Sequence, residues 1–294
     1  MKLLRGGTES WSIHLQAASS IVPALTAAKN SRYSGSASYL ERIDRGDQYP
    51  VVDEIACDFL VGTFIWFDIL ATASTRSKPF LENNFQYLGN IKLEGVMGCE
   101  NWAMTLIAKI SLLEEWKRDS QRSGRLSIVE LSRRGSEIET LLNSGLARQT
   151  TFPCAPVLEK CLTRHVSTIT QIFAYAALTY LHTVISGAHP ELAEIKASVS
   201  MTIAAFSNLP DPKLLQNLVW PYCVTGCMAS TNQDSFFGDL IVAAGWDGQS
   251  PGNQWKAFEV IRECWRLRES RTEETVGVHW TSAMSSFGFQ VLLV

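Results

Sequence analysis

Large apolar residues recur along this chain at intervals of three and four, and that spacing restricts the fold more than any other feature. Trp11, Leu15, Ala18, Val22 and Leu25 follow it. So do Leu192, Ile195, Val199, Ile203 and Phe206, and again Trp255, Phe258, Ile261 and Trp265. On a helix each set falls on one face, which must be buried against a neighbour. No segment alternates apolar and polar residues between hairpin turns, and no βαβ rhythm or fixed-period repeat runs through the chain. The expected class is all-α, a single irregular bundle of about ten helices occupying residues 1–294.

Glycine, proline and polar runs punctuate the helices. Ser10 is an N-cap candidate, and Pro23 a kink or early stop. The Ser- and Gly-containing stretch 29–48 and the basic stretch 117–125 read as flexible loops. Pro50 opens a helix that is apolar nearly all round and therefore central. Gly145 is a helix stop, Pro190 a helix start, and Pro221 opens the helix that carries Cys223 and Cys227. The last segment, from His279, fits helix or strand. Residues 162–186 are long enough to span a membrane. Arg164, His165, Gln171 and His182 interrupt them, so a buried core helix is expected and no membrane span.

Composition narrows the function classes. Of 294 residues, 46% are hydrophobic and 19% charged, enough apolar surface for a sizeable core. The formal net charge is −3, without the basic excess of a chain that grips a phosphate backbone, so direct nucleic-acid binding is not expected. The start, Met1 to Trp11, has no apolar run of a secretory signal. Seven cysteines, an odd number set in apolar segments, read as buried thiols in a reducing compartment.

Candidate chemistry is sparse. Cys223 and Cys227 share a helix face, but zinc takes four ligands and no other thiol or imidazole lies close in sequence. Packing is the expected role, with no metal and no cofactor. The five histidines show no metal-ligand spacing, and no Gly-x-Ser-x-Gly elbow or phosphate-binding glycine loop is present. Asp53, Glu54 and Asp58 sit in the first turns of a helix, where carboxylates complement its positive end. Asp68 interrupts an apolar helix and needs a partner, for which Thr72 and Arg76 are in range. Asp68, Arg76 and His14 are taken as buried structural polar groups. Nine tryptophans leave two readings. They build a bulky core, or Trp66, Trp102 and Trp220, with Cys223 and Cys227, line a cavity for an apolar ligand.

Four stretches, in order, carry a resemblance: Trp11-Ser-Ile-His-Leu-Gln-Ala-Ala18, the run from Trp66 through Asp68-Ile-Leu-Ala-Thr-Ala to Pro79-Phe-Leu, the run from Gly98 to Lys117, and Trp220-Pro-Tyr-Cys223 to Ala229 followed by Phe258 to Trp265. Together they resemble the fungal-specific regulatory domain of zinc-cluster transcription factors, in the branch of sterol-uptake and acriflavine-sensitivity regulators. Ala17 stands where that family usually has glycine.

The resemblance implies an all-helical, nuclear regulator of transcription that senses a small apolar effector in some members. It also implies partners among other regulator chains. The family's six-cysteine zinc-cluster module has no counterpart in these residues, so the expectation is a regulatory domain truncated at its N-terminus relative to the family. Two alternatives stand beside it. One is an all-α enzyme of cyclase or isomerase type, which needs Asp68, or Glu54 with Asp58, to face a cavity. The other is a decoy partner of full-length regulators.

Overall fold

Twelve α-helices and two short 3-10 helices make up nearly all the described residues, and among these there is no strand. The computed structural model describes residues 11–33, 48–81, 85–88, 91–149, 157–245, 252–270, 277–288 and 290–294. The long elements are α1 (Trp11–Tyr33), α2 (Gln48–Thr75), α5 (Asn101–Arg122), α6 (Ile128–Gln149), α7 (Val157–Ser186), α8 (Ala193–Ser207), α9 (Val219–Met228), α10 (Asp234–Ala243), α11 (Asn253–Glu269) and α12 (Trp280–Ser286). Two single-turn helices, α3 (Phe85–Leu88) and α4 (Glu94–Met97), lie between α2 and α5.

The helices α7 and α9 form the centre. Packed around α7 are α5, α6, α8 and α9, while α9 also meets α8 and α11. All ten residues of α9 are buried, which suits its unbroken apolar sequence. Its C-terminal carbonyls lack partners within the helix, and α11 supplies them. Trp265 Nε1 donates to the Gly226 carbonyl at 3.0 Å, and the two Arg268 terminal nitrogens donate to the carbonyls of Cys227 at 2.6 Å and Ala229 at 3.2 Å. Close approach of the two helices is possible because residue 226 has no side chain: a Cβ there would stand 2.4 Å from Ile261 Cδ1.

A column of aromatic rings crosses the core. Trp66 of α2 meets Phe173 of α7 edge-on, with centroids 5.1 Å apart. Phe173 stacks on Trp220, Trp220 meets Tyr180, and Tyr180 meets Trp280 of α12. Trp280 Nε1 donates to the Ser74 carbonyl at 3.0 Å, tying α12 back to α2. Such ring pairs contribute about 0.5–1.5 kcal/mol each beyond their buried area.

Several boundaries differ from the sequence expectation. Helix α1 runs through Pro23 to Tyr33, so the expected loop at 29–48 overlaps a helix at its start, and residues 34–47 lie outside the described residues. The basic stretch after Lys117 remains helical to Arg122, because its lysine and arginine residues are good helix formers and Arg122 pairs with Asp119 one turn back. Gly145 does not end α6. It is buried inside that helix under the Trp102 ring, whose Cζ3 would lie 2.4 Å from an added Cβ. The central burial expected for α2 holds from Val61 onward, whereas Ile55, Phe59 and Leu60 are exposed. By length and composition Ile55–Thr75 could cross a membrane, but 61% of its most apolar window is buried among the other helices. In the segment 162–186 the residues from Ile169 to Val184 are largely buried.

Candidate functional site

The five residues considered for an apolar cavity are tightly packed or partly covered. Trp66 and Trp220 belong to the aromatic column and are 2% and 0% exposed. Trp102 is half-buried and donates from Nε1 to Glu100 Oε2 at 2.9 Å. Cys223 and Cys227 are fully buried with their sulfurs 4.0 Å apart, and Cys264 of α11 hydrogen-bonds to Cys227. Folding thus joins a third thiol to a pair that stands alone in the sequence. The contact with Cys227 and burial push the Cys264 thiol up, and burial raises Cys227, so these sulfurs keep their protons and are poor nucleophiles. Among the described residues no group of three or more His, Cys, Asp or Glu side chains is arranged to hold a metal ion.

Asp68 is fully buried, and its carboxylate binds backbone. Oδ1 accepts from the Phe80 N–H at 2.7 Å and Oδ2 from the Leu81 N–H at 3.3 Å, fastening the chain after α2 onto that helix. Thr72 donates instead to the Asp68 main-chain carbonyl at 2.8 Å, and Arg76 turns to a different carboxylate. The expectation that His14 is buried is corrected: it lies on the solvent side of α1, because Trp11, Leu15 and Val22 take the inward face. Asp58 is half-buried, and the side chain of Glu54 lies outside the described residues.

A polar pocket of about 250 Å³ opens beside the far end of the aromatic column. Four separate stretches converge on it: Arg76 after α2, Glu114, Lys117 and Gln121 on α5, Thr183 to His189 at the end of α7, and Gly277 with His279 before α12. Arg76 has φ +58°, a left-handed conformation that is uncommon and costs about 1–2 kcal/mol for a residue with a side chain. Its N–H still closes on the Thr72 carbonyl, so the helix ends there.

The polar atoms around the pocket are closely matched, with one exception. Glu114 is 2% exposed. Its Oε1 lies 2.5 Å from Arg76 Nε, an ion pair by distance though not aligned as a hydrogen bond. Its Oε2 accepts from the Tyr180 hydroxyl at 2.7 Å. Burial, reinforced by the Glu114 charge, holds the Tyr180 phenol well above the usual range, so it stays a donor. Lys117 Nζ donates to the Val184 carbonyl at 2.5 Å, and burial lowers its pKa. His279 is the exception. Its Nδ1 accepts from the Thr281 N–H at 3.2 Å, while Nε2 is buried with no hydrogen-bond partner. Its ring lies 3.6 Å from that of Trp280. Burial, then the charges of Arg76 and Arg118, push the imidazole well below its usual pKa.

Comparison with known proteins places the chain. Residues 2–294 match the fungal-specific transcription factor domain. The chain belongs to this family of fungal transcription regulators. This family member is 36% identical over 300 residues to the trichothecene biosynthesis transcription regulator of Trichoderma arundinaceum, across 97% of the chain and 68% of that relative. It is 33% identical to the regulator of the same description from Fusarium sporotrichioides, across 96% and 68%. It is 32% identical to transcription factor dibT of Pestalotiopsis microspora, across 82% of this chain but 42% of that protein. No solved structure matches it.

The fungal transcription factor domain therefore carries a pocket that the sequence reading did not assemble. Glu114 held one usable signal: it lies four residues after Ile110 and seven after Ile107, so it falls on the buried stripe of α5. A carboxylate in that register must meet a buried partner. Lys117, Tyr180 and His279 gave no local sign.

Proposed function

We propose that this chain is the regulatory domain of a pathway-specific transcription regulator for a fungal secondary-metabolite gene cluster. It acts in the nucleus through protein contacts, without gripping DNA itself, and responds to a small-molecule effector. The family match over nearly all its residues carries the reading, and relatives described as regulators of biosynthesis or of biosynthetic clusters agree with it. The net charge of −3 favours protein over nucleic-acid partners. The binding of Asp68 to backbone N–H groups favours this reading over an enzyme, because the best-placed buried carboxylate is already engaged. Other regulator chains are the proposed partners.

Tethering tests the reading. Fused to a heterologous DNA-binding module, the chain should change expression of a reporter that carries the matching operator. Alone it should give no sequence-selective gel shift at physiological salt. A reporter indifferent to the stably expressed fusion, or a nanomolar sequence-selective shift by the chain alone, would refute it.

A further inference from the structure

The polar pocket combines surplus positive charge with a buried donor lacking an acceptor. Arg76 and Lys117 face it with one carboxylate, Glu114, whose two oxygens are already engaged by Arg76 and Tyr180, so one positive charge remains uncompensated at its wall. His189 also lines the pocket, with its Nδ1 3.2 Å from Glu191 Oε1. Arg118 adds positive potential at His279. Because His279 Nδ1 accepts a main-chain N–H, the proton of the neutral ring sits on Nε2. That N–H belongs to a side chain only 8% exposed, on the pocket wall, with no protein acceptor. Buried donors are almost always paired, so an orphan facing a cavity points to an acceptor that arrives from outside.

Building on the effector-responsive reading above, we propose that this pocket binds a small monocarboxylate anion, which accepts from the His279 Nε2–H and the Lys117 ammonium while facing Arg76. Charge and size both set the class. One uncompensated positive charge matches a monoanion better than a phosphate dianion. A volume of about 250 Å³ holds roughly eight waters at about 30 Å³ each, so the ligand is a small acid and not a nucleotide or long-chain lipid. Occupancy would be felt by the core, since His279 lies against Trp280 and Glu114 holds the hydroxyl of Tyr180 in the same aromatic column.

Calorimetric titration of the purified chain with benzoate and isobutyrate tests this, with benzyl alcohol and inorganic phosphate as comparisons. Saturable binding of at least one carboxylate is expected, together with a shift of the His279 Nε2–H resonance in histidine-labelled protein. Lys117→Met should weaken binding about tenfold. Gln121 is exposed at the pocket, so its variants keep the fold. Gln121→Glu should weaken binding and Gln121→Lys strengthen it, each by about two- to fivefold, with the difference fading at high salt. The proposal fails if neither carboxylate binds, if benzyl alcohol or phosphate binds as tightly, or if the two Gln121 variants bind alike. Carboxylate binding with a silent tethered reporter would uphold the pocket and remove the effector-responsive reading. A reporter response to carboxylate that Lys117→Met leaves unchanged would do the reverse.

Discussion

Gly226→Ala and Gly238→Ala place the same methyl group on two helices, and the structure predicts opposite effects on stability. At position 226 the new Cβ would lie 2.4 Å from Ile261 Cδ1, 2.8 Å from Cγ1 and 3.2 Å from Cγ2. Both branches of a fully buried, β-branched side chain crowd it, so rotating Ile261 exchanges one clash for another. Relief requires α9 and α11 to separate, which strains the bonds from Trp265 and Arg268 to the end of α9. Overpacking of this kind costs about 1–3 kcal/mol, against about 1 kcal/mol gained from alanine's helix propensity. At position 238 the nearest atom is Phe258 Cζ at 3.8 Å, an ordinary contact, so only the gain of about 0.5–1 kcal/mol remains. The two variants should therefore differ by about 2 kcal/mol, or roughly 4–8 °C in Tm. Urea unfolding followed by tryptophan fluorescence measures this through the shift in midpoint at constant slope. Ile261→Val removes Cδ1 and should cost about 0.5–1.5 kcal/mol alone but distinctly less in the Gly226→Ala background. Equal stability of the two alanine variants, or an Ile261→Val cost that ignores residue 226, would refute the argument.

Other perturbations follow from the same contacts. Asp68→Ala should destabilise by about 3 kcal/mol, since it leaves the buried Phe80 and Leu81 N–H groups without their carboxylate, and Asp68→Asn by less because one acceptor oxygen survives. Chemical denaturation of the two variants ranks them. Arg268→Met keeps the apolar stem but frees the carbonyls of Cys227 and Ala229, and a loss of about 1.5–3 kcal/mol is expected in the same assay. Burial raises the pKa of Cys99, Cys227 and Tyr180, and of Cys264 together with its Cys227 contact. The unfolded chain therefore releases these protons first. Stability from these groups is intact below the ordinary thiol value of 9.0 and falls as pH rises beyond it. Unfolding midpoints at neutral pH and at pH values above that point should show the decline, and the buried thiols should resist a disulfide reagent until the protein is denatured.

The helical class was legible because a helix face is a local matter. Residues three and four apart meet whatever the rest of the chain does, so the inward rows of Trp11–Leu15–Val22 and Ile195–Val199–Phe206 could be read directly. The family signature was legible for the same reason, as short ordered runs around Trp11, Asp68 and Trp220. Buried roles for Asp68, Cys223 and Cys227 followed from polar or small groups set in apolar helices. The inward placing of His14 failed, because nothing within one turn distinguishes the shoulder of a face from its centre. Gly145 was misread as a stop because only α5, across the interface, shows why a residue without a side chain is needed there.

What the sequence determined by itself was therefore the kind of element, the apolar mass available for a core and the kinship of the chain, all properties of neighbours along the backbone. Tertiary structure alone decided that Cys264 joins Cys227, that Asp68 holds the Phe80–Leu81 backbone, and that Arg76, Lys117 and His279 share one pocket. Charge and hydrogen-bond vacancy belong to positions in space, and stretches as distant as 76, 117 and 279 acquire a common electrostatic environment only when the helices between them have packed.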